Sequence, residues 1–197
     1  MKKVLALMGS PRRHRNTEDL LDYLLDGVNK SDYEIEKLIL KDLDVHYCTG
    51  CNHCGRTSEC IYKDDMQMVY ENIDNSDIII FAAPIYFNSI NSLSKDLVDR
   101  CQKYWSIKYV LGQAYKRNEN RRGIFLSVGG APFSHSQFYG SVPVMDFFFK
   151  AINVDYVGNY FISNTDEVQV NERRDIEKEL NSIGNKIDDI GSFQIHK

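Results

Sequence analysis

No apolar run in these 197 residues approaches the roughly 20 that a bilayer-crossing helix needs, which excludes a protein held in a membrane by helices. The start is not expected to act as a secretory leader: the apolar stretch Val4 to Met8 is too short for a signal core and meets Ser10-Pro11-Arg12-Arg13 instead of a small-residue cleavage site. The expected location is therefore cytoplasmic, and the stretch itself is expected to be a strand. Positive charge is not in excess. With 24 Lys and Arg against 28 Asp and Glu, the net charge of -4 gives no electrostatic reason to bind nucleic acid or an anionic membrane, so small molecules and proteins are the expected partners. Repeats, low-complexity tracts and linkers are absent, and 43% hydrophobic content is enough for a core, so one domain over residues 1–197 is expected. No nucleoside-triphosphate loop of the G-x-x-x-x-G-K type occurs, and no reader of a nucleotide 2'-phosphate stands out.

What the chain does have is crowded cysteine. Cys48, Cys51, Cys54 and Cys60 form a C-x2-C-x2-C-x5-C run inside a polar segment, about 42–62, that has no clear periodicity. Two tight disulfides in so short a span suit a small secreted scaffold better than this chain, so metal or cluster ligation is the main reading. Zinc is a rival, since four thiolates, or three with His53, satisfy a tetrahedral ion, although zinc sites usually show two separated pairs. Cys101 is different: it lies four residues after Leu97 on an apolar helical face and reads as a buried small hydrophobe.

Strand and helix signals alternate along the chain. Val4–Met8 precedes a loop and a helix carrying Leu20, Leu21, Leu24 and Leu25, with Asn16 or Thr17 as cap. Glu34–Leu40 suits a second strand. Asp64-Asp65-Met66-Gln67 resembles a capping box for a helix to about Asn75, with Met68 and Ile73 facing inward. Residues 77–84 form a continuous apolar run ended by Pro84, the pattern of a strand buried on both faces. A third helix capped by Asn91 or Ser92, a strand at Gly123–Val128, a partly helical Phe138–Ile152, a strand at Val154–Ile162 and a final helix at Arg173–Ile190 complete the series. The fold class predicted is α/β: a doubly wound five-stranded parallel sheet in three α/β/α layers, because parallel neighbours need crossovers that cover both faces.

In that architecture the loops after strands one, three and four converge where strand order reverses. Gly9-Ser10-Pro11-Arg12-Arg13-His14-Arg15-Asn16-Thr17 joins a strand to a helix start, where unpaired N–H groups and the helix dipole favour an anion. Ser10, Asn16 and Thr17 offer neutral donors and Arg12 a charged one, so a phosphate suits this loop; the alternative is a capped turn with solvated arginines. Tyr86 and Phe87 suit either a flat ring or an interface. The backbone at Gly129-Gly130 suits either close ligand approach or a plain turn.

Gly9-Ser10-Pro11-Arg12 with Asn16-Thr17, then Pro84-Ile85-Tyr86-Phe87-Asn88-Ser89, then Lys95 and Asp99-Arg100, together resemble the NADPH-dependent FMN reductase family over Lys3 to about Phe161. The resemblance implies a flavodoxin-like fold, with Ser10, Arg12, Asn16 and Thr17 around the FMN phosphate. Pro84, Tyr86, Phe87 and Asn88 would line the isoalloxazine ring, with Ser127, Gly129 and Gly130 on its pyrimidine side. Arg15 departs from the glycine common before the Asn-Thr pair, which raises the prospect of steric cost at a positive φ. The cysteine run further resembles the iron-sulfur flavoprotein branch, implying a 4Fe-4S cluster on Cys48, Cys51, Cys54 and Cys60, here with a longer last gap and Ile61 in place of a proline. The implied activity is an FMN-dependent oxidoreductase taking electrons from NAD(P)H or a reduced carrier, working as a homodimer or dimer of dimers. No side chain is nominated as catalytic acid or base, since the cofactor carries the chemistry. A non-enzymatic electron carrier would bind the same cofactors without hydride turnover. A zinc-stapled flavodoxin-fold binding protein would stay colourless with FMN.

Overall fold

The computed structural model of the chain describes residues 1–116 and 120–197. Strand β1 (Lys2–Met8) lies between β2 (Tyr33–Ile39) and β3 (Ile78–Tyr86), and beyond β3 come β5 (Arg122–Val128), β6 (Asp155–Ile162) and β7 (Phe193–His196), all parallel. A two-residue strand β4 (Ser89–Ile90) folds back antiparallel on β3. The parallel sheet and its two helical layers agree with expectation, but the sheet has seven strands and not five. Both additions are too short to announce themselves: β4 has no room for a period, and Phe193-Gln194-Ile195-His196 alternates through a single repeat.

Helices α1 (Asn16–Gly27) and α7 (Arg174–Asn185) cover one face, while α3 (Met66–Asn75), α4 (Ser92–Arg100) and α6 (Ser141–Ala151) cover the other. The spacing of Leu20, Leu21, Leu24 and Leu25 turns one apolar stripe of α1 onto the sheet, beside Ile176, Leu180 and Ile183 of α7. Strand β3 shows why a continuous apolar run was needed: Ile78, Ile80 and Ala82 pack under α1 and α7, whereas Ile79, Phe81 and Ala83 pack under the opposite layer. Each buried isoleucine or phenylalanine among them contributes about 1.5–3 kcal/mol of transfer free energy. Cys101 is buried in the second layer, as expected, and burial pushes its thiol far up from its ordinary pKa.

The helix starts agree only in part with the sequence reading. Asn91 occupies the N-cap position of α4 as expected, Arg15 instead of Asn16 or Thr17 occupies that of α1, and neither helix has a side-chain cap bond. The reciprocal capping box before α3 does not form: Asp64 accepts from the Met66 N–H at the helix start while also binding Arg100 and the His46 N–H, but the Gln67 side chain donates to Tyr62 O instead of reaching back. Met68 faces solvent, while Met66, Val69, Tyr70 and Ile73 point inward. Among the described residues no helix is long and apolar enough to cross a membrane.

Candidate functional site

At the carboxyl ends of the strands, where order reverses between β1 and β3, a cavity of about 620 Å³ opens. Its walls include Ser10, Arg12, Arg15, Asn16 and Thr17 from the first loop, Pro84 to Tyr86 from the end of β3, and Val128, Gly130 and Ala131 after β5. Thr165, Asp166 and Gln169, from the loop after β6, close the remaining side. The start of α1 has no side-chain cap, and its first backbone bonds are those of Glu18 and Asp19 to Arg15 O, so the amides of Asn16 and Thr17 precede them; both residues line the cavity together with Arg12 and Arg15. Arg12 and Arg15 are exposed and make no ion pair among the described residues.

Close backbone approach makes this geometry. A Cβ at Gly9 would stand 2.1 Å from Ser94 Oγ, and the Gly9 carbonyl accepts from Asn91 Nδ2 at 2.8 Å, so α4 is pinned against the first loop. A Cβ at Gly130 would meet the Asp166 carboxylate at 2.4 Å, where the loops after β5 and β6 touch.

Not every residue singled out from the sequence reaches the cavity. Ser10 and Thr17 are buried in its wall, and Pro84 and Tyr86 line it. Asn16 also lines it, but its side chain ties loops together, accepting from Val170 N at 2.9 Å and donating to Thr165 O at 3.4 Å. Phe87 and Asn88 turn away at φ 51° and 60°, with Phe87 fully exposed, and neither is part of the wall. Ser127 lies under the floor, bonded to Ala83 O at 2.7 Å, and Gly129 sits behind Gly130, its carbonyl accepting from the Thr165 N–H and hydroxyl. Arg15, Ile85, Val128, Ala131 and the 165–169 loop were missed; the polar run Ser163-Asn164-Thr165-Asp166 after a parallel strand was the available signal. Arg15 is not strained, because its φ is -139° and the positive angle falls on His14 at 53°.

The first loop takes its path from Glu18, which is buried and accepts from His14 N at 2.6 Å, Lys37 Nζ at 3.0 Å and Arg13 Nε at 3.3 Å. Burial alone would raise its pKa, but these three donors outweigh it and hold the carboxyl at about 2. A depressed carboxylate pKa contributes stability that is fully present above the ordinary range and lost as pH falls from about 4.5 through about 2. Glu18→Gln is expected to lose about 3 kcal/mol at most at pH 7, with the gap to wild type closing toward pH 2. Urea melts at both pH values check this, and a gap independent of pH would contradict it.

The cysteine segment forms a second cavity, of about 410 Å³, lined by Cys48, Cys51, Cys54 and Cys60 on one side and by Asp99, Arg100, Gln102 and Lys103 on the other. His53 is not part of this wall. The loop is irregular apart from one helical turn, α2 (Cys54–Thr57), and its two ends are clasped by Arg100. That buried guanidinium reaches His46 O at 2.7 Å and both Asp64 oxygens at 2.6 and 2.9 Å, and lies over the Tyr62 ring at 5.2 Å. Although burial pulls the other way, Arg100 lowers the Asp64 pKa, and Asp64 in turn keeps Arg100 firmly charged. By contrast Lys95 and Asp99 pair with each other at the surface, at 2.7 Å. Among the described residues no three His, Cys, Asp or Glu side chains are gathered to hold a metal ion; the four cysteines share the wall of one cavity.

Fold and site together define a flavodoxin-like α/β protein with an open cavity at its switch point. The chain belongs to the NADPH-dependent FMN reductase family, whose model matches residues 2–154. It is 33% identical to an iron-sulfur flavoprotein of Archaeoglobus fulgidus over 102 residues, 52% of this chain and 46% of that one. With an iron-sulfur flavoprotein of Methanocaldococcus jannaschii it shares 31% identity over 129 residues, 65% of this chain and 62% of that one. The chain thus spans about half to three-fifths of the length of these curated relatives. Similar solved structures include the NAD(P)H:quinone oxidoreductase of Methanothermobacter marburgensis, with a TM-score of 0.67 at 13% identity over 96% of this chain and 98% of that one. An FMN-dependent NADH-azoreductase of Bacillus anthracis, solved with FMN, gives 0.65 at 14% identity over 95% and 99%. These structural likenesses bear on the fold.

Proposed function

We propose that residues 1–197 form one FMN-binding unit of a cytoplasmic, homodimeric oxidoreductase that draws electrons from NAD(P)H or a reduced carrier and holds a 4Fe-4S cluster on its cysteine loop. The observation that carries this is the convergence of an uncapped helix start, two unpaired arginines and the Pro84–Tyr86 segment on one 620 Å³ cavity. Ser10, Arg12, Arg15 and the first amides of α1 would hold the phosphate, and Pro84, Ile85 and Tyr86 would flank the ring. FMN supplies the redox chemistry, taking electrons in pairs and passing them on singly. The chain's own tasks are to fix the phosphate, to exclude water with Pro84, Ile85 and Val128, and to keep the loops in register through Asn16 and Asn91.

Two features favour a cluster over zinc in the second cavity. Cys48, Cys51 and Cys54 form one closely spaced run with Cys60 beyond it, whereas zinc sites usually show two separated pairs. Arg100, in the same wall, carries a buried Nε–H without an acceptor, and sulfur on an anionic cluster would supply one.

Equilibrium titration with FMN tests the first cavity. Arg12→Ala is expected to weaken FMN by about 1.5–3 kcal/mol through the lost charge-assisted phosphate contact. Equal affinities in wild type and variant would remove the phosphate from that loop.

A further inference from the structure

Directly after α5 (Gln102–Trp105) the chain makes a π-helical turn, Ser106–Val110, closed by Leu111 N donating to Ser106 O at 2.9 Å. Such widened turns are rare and recur at functional sites. This one sits against α2 and presents the buried Ser106 hydroxyl to the sulfur of Cys54, with Oγ and Sγ 3.4 Å apart. Ser106 makes no other side-chain hydrogen bond among the described residues; its hydroxyl does not turn back to a helix carbonyl as helical serines often do.

Resting on the cluster reading above, we propose that Ser106 sets the reduction potential of the cysteine-held centre by donating a hydrogen bond to the Cys54 sulfur. Once Cys54 ligates a metal its sulfur has no proton to give, so the direction of the bond is decided: the hydroxyl donates and the sulfur accepts. Adding an electron to the centre makes its sulfurs more basic and strengthens that bond. The bond therefore stabilises the reduced form more than the oxidised one and raises the potential, as hydrogen bonds to cluster sulfurs do. Ser106 touches neither the flavin cavity nor the Asp64–Arg100 clasp, so its effect should be confined to the centre. It is a positioning residue, acting through Cys54.

The test is an anaerobic redox titration of wild type, Ser106→Ala and Ser106→Thr, followed by visible and electron paramagnetic resonance spectra, with iron and sulfide measured on each sample. Ser106→Ala is expected to keep wild-type iron and sulfide while its reduced-to-oxidised ratio at a fixed potential falls by up to tenfold, equivalent to about 59 mV for one electron. Ser106→Thr, which keeps the hydroxyl, should restore the wild-type midpoint. An unchanged midpoint in the alanine variant overturns the inference, and so does loss of iron from it, which would make Ser106 a support for the ligand loop. Wild type without iron and sulfide overturns the cluster reading itself and this inference with it.

Discussion

Arg100→Met is expected to lower the free energy of unfolding by about 3–5 kcal/mol, the cost of leaving one partner of a buried ion pair alone. The Arg100 side chain is 1% exposed and that of Asp64 14%, so the stranded carboxylate cannot simply hydrate. The loss also frees His46 O and the Tyr62 ring, the two other points at which Arg100 grips the cysteine loop. Denaturant melts of Arg100→Met, Asp64→Asn and the double variant make the check. The double variant should be more stable than the sum of the single losses predicts, because the pair is already broken in either one. A cost below about 1 kcal/mol, the range of exposed pairs such as Lys95–Asp99, would mean that Arg100 does not anchor the loop.

Cys54→Ala is expected to abolish iron and sulfide incorporation while FMN affinity stays within about twofold, since a cubane needs all four thiolates. The two cavities share no lining residue, and α4 separates them. At its start Asn91 bonds Gly9 beside the flavin cavity; at its end Arg100 lines the cysteine cavity, about 13 Å away for a nine-residue helix. Metal analysis and an FMN titration on the same preparation decide the matter. Collapse of FMN affinity together with iron would show that the helix couples the sites.

Much of this arrangement was legible in the sequence wherever a periodic or compositional signal was strong. The apolar run 77–84 placed the central strand, the leucines of α1 placed its buried face, and Gly9-Ser10-Pro11 marked the loop where β1 hands over to a helix. Less legible were interactions between segments distant in the chain. Asn16 looked like a phosphate donor from its place in the first loop, and its side-chain amide bridges to Thr165 and Val170 about 150 positions away, which no local pattern reveals. Asp64 looked like a cap and does accept from the Met66 N–H, but its pairing with Arg100, 36 positions on, is not visible in any local pattern. Phe87 looked like a ring contact from motif position alone, and the tight β3–β4 turn points it to solvent. The π turn that carries Ser106 has no sequence signature at all.

Anaerobic purification followed by a visible spectrum and by flavin, iron, sulfide and zinc stoichiometry tests the central claim most directly. The proposed function predicts flavin bands over a broad iron-sulfur absorption, with one FMN and about four iron and four sulfide per chain. A colourless protein that takes up no FMN on titration and carries zinc without sulfide would contradict it.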